Sequence, residues 1–139
     1  PSMTQTISPH AALIYIMVTM SAVDRSMSDR ELQDIGNMVT FLPVFEGFSP
    51  EKLVQVSEEC GAILQEEGGL EAVFGLAKES LPVHLRETAY AVAVEVAASD
   101  LTIEPEELRL LQILADTLEL EKLTTAAIER GARARHAVI

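Results

Sequence analysis

Apolar residues recur along this chain at the three- and four-residue spacing of helices, and no segment alternates with the period of two typical of a strand. The first helix is predicted to begin at Pro9, after the N-cap residue Ser8, and to run to about Val23. Apolar side chains surround this helix almost completely, which is typical of a helix covered on every side. We therefore expect it to lie at the centre of the fold.

Six further helices follow, and proline or glycine residues mark most of their ends. The spacing of Ser28 and Glu31 is that of a capping box at the start of the second helix, which Pro43 ends. The six segments predicted to be helical are 28–42, 50–67, 70–81, 82–99, 105–118 and 122–135. The sequence predicts a single all-α domain of about seven helices.

The two halves of the chain repeat each other with an offset of 76 residues. Asp24 is followed by Glu31, and Asp100 is followed by Glu107, at the same separation of seven positions (31−24 and 107−100). Apolar positions on both sides of these turns match at the same offset: Ile14, Val18, Ala22, Ile35, Met38 and Leu42 align with Tyr90, Val94, Ala98, Leu111, Leu114 and Leu118. The pattern indicates an internal duplication, with two related helical hairpins at the centre of the domain.

Composition and charge restrict the kinds of molecule that this protein is expected to bind. The 139 residues are 48% hydrophobic but only 4% aromatic, as expected for a core of packed aliphatic helices. A net charge of −12 repels phosphate backbones, which argues against nucleic acid and favours cations or a basic protein surface. The longest apolar run, 11–23, is shorter than the ~20 residues of a membrane span. With no signal peptide visible, we expect a cytoplasmic protein.

The acidic turns are the strongest candidates for chemistry. Glu31 and Glu107 lie where carboxylates cap helix amides, and capping alone would account for them. Asp24 and Asp100 follow apolar helices, where a negative charge faces the unfavourable end of the helix dipole. If the hairpins pack about a pseudo-twofold axis, four carboxylates converge, and a hard divalent cation such as calcium, magnesium or manganese would neutralise them. The spacing does not match the calcium-binding loop of an EF-hand. Ion binding and helix capping alone both remain possible interpretations of these carboxylates.

These motifs resemble the TerB tellurite-resistance family and its TerB-like relatives. The resemblance is carried by segments 21–24 and 97–100, each ending in Asp, by the Glu-Leu pairs 31–32 and 107–108, and by segment 86–90. It implies a seven-helix fold with an acidic cluster that binds a divalent cation. It also implies a role in tellurite and chemical-stress resistance, together with membrane-associated and calcium-binding partner proteins. The family usually has Gly after each Asp, whereas Arg25 and Leu101 stand there in this chain, and Arg25 would ion-pair with the carboxylates in place of a metal.

The remaining features suggest packing or surface roles. Residues 1–8 are expected to be a disordered tail or a cloning remnant, and 9–139 the TerB-like domain. Cys60, the single cysteine, lies in an apolar register and is predicted to be a buried core residue. The three histidines lack the spacing of a zinc site. The basic residues Arg130, Arg133, Arg135 and His136 are interpreted as a solvated helix end or, alternatively, as a docking strip for an acidic partner.

These observations lead to three alternative hypotheses for the function of the protein. The favoured hypothesis is a non-enzymatic TerB-like module that binds a divalent cation and other proteins in a stress response. The alternative is a ligand-free helical scaffold in which the acidic turns are only caps. A hydrolase that uses paired carboxylates ranks last, because no nucleophile or substrate cleft is evident in the sequence.

Overall fold

A computed structural model of the chain describes residues 6–22, 29–98 and 104–139, which form seven α-helices and no strand. The helices are α1 (Pro9–Ser21), α2 (Asp29–Phe41), α3 (Leu53–Leu64), α4 (Gly69–Ser80), α5 (Arg86–Ala98), α6 (Pro105–Thr117) and α7 (Lys122–His136). The all-α, seven-helix prediction is confirmed.

Helix α1 is the centre of the domain, as its apolarity predicts. Every residue from Ala12 to Ser21 is buried, and the helix packs against α3, α4 and α5. Ser8 caps it, since its side-chain oxygen accepts the Ala11 N–H at 3.1 Å. Hydrophobic burial against three neighbours, rather than amphipathic character, therefore fixes the position of this helix.

The internal repeat is visible in α2 and α6, the helices that follow α1 and α5. Helices α2 and α6 have bounds exactly 76 residues apart at both ends (105−29 and 117−41). The equivalent pairs Val18 and Val94, and Ile35 and Leu111, are all buried. Helices α1 and α5 pack directly against each other, so the two halves share one core.

Two helices begin later than predicted, because each opens with a separate 3₁₀ turn. The turns are Pro50–Lys52 before α3 and Val83–Leu85 before α5. Each turn is closed by a hydrogen bond between residues three apart, from the Lys52 N–H to the Ser49 carbonyl oxygen at 3.0 Å and from the Leu85 N–H to the Pro82 carbonyl oxygen at 2.9 Å. Ser49 makes no capping bond with its side chain.

The N-terminal end of α1 is held by two contacts from distant parts of the chain. The Ile7 N–H donates to Ser80 Oγ at 3.0 Å, and His10 Nε2 lies 2.9 Å from the Val44 carbonyl oxygen. The His10 ring also contacts Phe45 and Phe48. His10 therefore has a packing role.

Within the described ranges, no helix is long and apolar enough to cross a membrane.

Candidate functional site

The structure describes two of the four carboxylates predicted to form the cation site. Glu31 and Glu107 are each the third residue of their helix, α2 and α6, so they occupy equivalent positions in the repeat. Asp24 and Asp100 lie outside the described residues, as do their neighbours Arg25 and Leu101.

Glu107 is engaged in capping its own helix. Its side chain is buried, with only 6% of the residue exposed, and its Oε1 atom accepts the backbone N–H of Glu104 at 2.9 Å. Together with the Glu104 side chain this contact forms a capping box at the start of α6. This is the capping role that the sequence gave as the alternative for Glu107. The box predicted for Ser28 and Glu31 stays a prediction, because Ser28 lies outside the described residues.

The donor chemistry of the four predicted residues suits a hard cation, since carboxylate oxygens are what calcium, magnesium and manganese prefer. Within the described ranges, however, no group of three or more histidine, cysteine, aspartate or glutamate residues could hold a metal ion. A complete site would need the two aspartates beside Glu31 and Glu107. The cation site therefore stays a prediction.

A polar cluster that the sequence did not predict joins α5 to the end of α7. The Arg135 Nε atom donates to Glu95 Oε1 at 2.8 Å, and a second guanidinium nitrogen contacts the same oxygen. His136 Nε2 lies 2.8 Å from the other carboxylate oxygen of Glu95. The interpretation of the basic residues as a solvated helix end is thus incomplete, because it fits the exposed Arg130 and Arg133 but misses these pairs. The available signal was Glu95 itself, the one charge in the apolar middle of α5.

A second polar contact ties the same two helices together. The Tyr90 hydroxyl donates to the carboxylate of Glu129. Burial, followed by the hydrogen bond and the negative charge of Glu129, raises the pKa of Tyr90 well above its ordinary value. Tyr90 therefore stays protonated at neutral pH and acts as a donor that positions α7.

Cys60 has the environment of a core residue, as predicted. It is fully buried, its thiol donates to the Tyr15 carbonyl at 3.5 Å, and the Thr19 hydroxyl lies 3.8 Å from its sulfur. Burial raises the pKa of Cys60 to about 11, although the Thr19 hydroxyl lowers it slightly. The reactive thiolate is therefore scarce at neutral pH.

We accordingly expect Cys60 to resist thiol-specific labelling in the native protein at pH 8 and to react readily once the chain is unfolded in denaturant. The measurement is the rate of reaction with an aromatic disulfide reagent, with the unfolded chain as the internal control. Equal rates in both states would show that the thiol is accessible. The Cys60→Ser variant should also keep any response to cations, because the residue supports packing.

The fold and the repeated acidic helix starts define a class of small all-helical, single-domain proteins built from two related hairpins. The sequence model of the family described as Tellurite resistance protein TerB matches residues 10–130. The chain therefore belongs to the TerB family, whose domains are generally non-enzymatic. Comparison with curated proteins and with solved structures gives no significant match.

Proposed function

We propose that this protein is a non-enzymatic TerB module that binds a divalent cation at its two acidic turns and interacts with other proteins. The observation that carries the proposal is the equivalence of α2 and α6. Their bounds are offset by 76 residues, each places a glutamate at its third residue, and each follows one of the two helices, α1 and α5, that pack together. A repeat with this geometry favours convergence of the two turns.

Four residues would hold the ion: Asp24, Glu31, Asp100 and Glu107. Carboxylates that converge repel one another, and a divalent cation relieves this repulsion through oxygen ligands alone. Such an ion would be calcium, magnesium or manganese. Because it binds the folded state and not the unfolded chain, it would stabilise the turns and the surfaces beside them.

The biological setting we propose is a cytoplasmic response to tellurite or related chemical stress, with protein partners that include membrane-associated ones. Family membership supports this setting. The net charge of −12 also supports a basic partner surface and argues against nucleic acid.

The cation proposal predicts a stability gain that depends on the acidic turns. With free ion a hundredfold above its dissociation constant, the free energy of unfolding should rise by about 2.7 kcal/mol. Thermal unfolding with calcium, magnesium, manganese or EDTA measures this gain. The Asp100→Asn and Glu107→Gln variants should lose it, since each removes a ligand charge while glutamine still serves a capping box.

The matched control is Glu106→Gln, which removes an exposed carboxylate from the same first turn of α6. This variant should respond to ions like the parent. The proposal fails if the parent does not respond, or if Asp100→Asn and Glu107→Gln both respond as the parent does.

A ligand-free scaffold is the second candidate, and one observation favours it. The Glu107 carboxylate already serves the capping box of α6. In this case the acidic turns only fix the start of each helix. Cations would then have a negligible effect on the stability of the protein, and the same negligible effect on its Glu106→Gln variant. The third hypothesis, a carboxylate-based hydrolase, would additionally require turnover of a substrate.

A further inference from the structure

A groove with a volume of about 530 Å³ lies between α2 and α5. We call it the α2–α5 groove. Its walls are formed mainly by Met38 of α2, by Leu42 directly after that helix, by Val44 in the 3₁₀ turn Pro43–Phe45, and by Ala91 and Val92 of α5. The surface it offers is therefore largely aliphatic.

The polar groups of the α2–α5 groove leave little to orient a small polar ligand. Glu95 and Arg135 also line it, but they bind each other. Thr88 contributes a single hydroxyl group. Sites for small ligands usually combine apolar walls with several converging polar groups, so this groove suits the apolar side chains of a protein better.

An exposed aromatic residue lies beside the groove. Phe41 is 79% exposed, and it lies one helical turn after Met38, so the two side chains are neighbours on the surface of α2. All six aromatic residues of the chain lie in the described ranges, and Phe41 is the one among them that is exposed. Large exposed aromatic side chains next to an apolar groove are typical of protein-binding surfaces.

Two exposed charges beside the groove that have no ion-pair partner within the described ranges are negative. Glu46 lies two residues after Val44, and Glu87 directly precedes Thr88; both are exposed, and neither forms an ion pair within the described ranges. Arg86, the cation next to Glu87, is directed instead toward Glu119 and the Leu118 carbonyl. The complementary partner therefore carries positive charge.

We propose that the α2–α5 groove binds an amphipathic helix of a partner protein, with an apolar stripe and flanking lysine or arginine residues. The described residues offer no sheet edge to which an extended peptide could add, whereas a groove between two helices accepts apolar side chains at positions i, i+3, i+4 and i+7 of a helix. This inference deepens the protein-interaction part of the proposed function and does not depend on the cation, because no groove residue belongs to the acidic turns.

The probe is a designed helical peptide of about 18 residues, five turns, that carries leucine on one face and lysine on the other. A counterpart with glutamate in place of lysine tests the charge. Fluorescence anisotropy gives the dissociation constant for the parent, for Phe41→Ser and for Ala91→Arg, which places a cation in the groove. Leu123→Ser is the matched control, because Leu123 is 84% exposed but lies on α7 and does not line the groove.

We expect the lysine peptide to bind the parent and the Leu123→Ser variant equally, and to bind Phe41→Ser and Ala91→Arg at least about tenfold more weakly. The glutamate peptide should not bind. Phe41 is exposed, so its replacement leaves the core intact, and circular dichroism verifies the fold of each variant.

Three results would overturn the inference: no binding to the parent, equal binding to all variants, or binding to phosphatidylglycerol vesicles that the Phe41→Ser change abolishes. Running the titrations in EDTA and in calcium separates this inference from the cation proposal. Peptide binding without a cation response contradicts only the cation site, and a cation response without peptide binding contradicts only the groove.

Discussion

Replacing Val94 by aspartate is expected to destabilise the protein by several kcal/mol, enough to unfold a domain of ordinary stability. Val94 lies on α5, where only 1% of the residue is exposed, in the core shared with α1. A carboxylate there would lose most of its hydration in an apolar core, which is among the most costly single changes in a protein.

Chemical unfolding followed by far-UV circular dichroism measures the loss. The matched control is Val54→Asp, because Val54 is a helical valine that is 56% exposed in the first turn of α3, where a negative charge is tolerated by the helix dipole. That variant should differ from the parent by less than about 0.5 kcal/mol. A soluble Val94→Asp protein with unchanged unfolding would show that α5 is not central.

The second large effect is expected at Gly69, the first residue of α4. A methyl group added there would lie 2.2 Å from the Ile63 carbonyl oxygen and 2.8 Å from the Leu64 Cα atom. Both neighbours are backbone atoms of the preceding helix, which cannot rotate away as a side chain would. The Gly69→Ala change should therefore shift the junction between α3 and α4 and cost about 3 kcal/mol.

Gly75→Ala is the matched control for this prediction, since it makes the same change six residues later in the same helix. Nothing lies within 4 Å of a methyl group at Gly75, so alanine should stabilise α4 by about 0.5–1 kcal/mol through its higher helix propensity. The two variants are compared by urea unfolding. If both gain stability, the close approach at Gly69 is not present in solution.

The sequence alone determined the fold class and most helix positions. The apolar register of α1 required burial on every side, and the structure buries each residue from Ala12 to Ser21. The 76-residue repeat also predicted equivalent positions correctly, since α2 and α6 share their bounds at that offset. These features are local and periodic, so they can be read from the spacing of side chains along the chain.

The sequence could not determine the residue at which the α-helix begins after each N-terminal start signal. Ser49-Pro50 and Pro82 both favour a turn of helical type, and both are followed by a 3₁₀ turn before the α-helix begins. The first turn of a helix is closed by few hydrogen bonds, so packing of the neighbouring segments decides between the two geometries.

Contacts between distant segments were decided by the tertiary structure alone. Gly68 and Gly69 are indistinguishable as helix-ending residues, yet Gly68 adopts a positive φ of 72° in open space, whereas Gly69 touches the backbone of α3. Likewise, Glu95 and His136 are 41 residues apart, and their contact depends on how α7 lies across α5. Side-chain periodicity records which face of a helix is buried but not which neighbour covers it, so such pairs follow only from the packing of the helices.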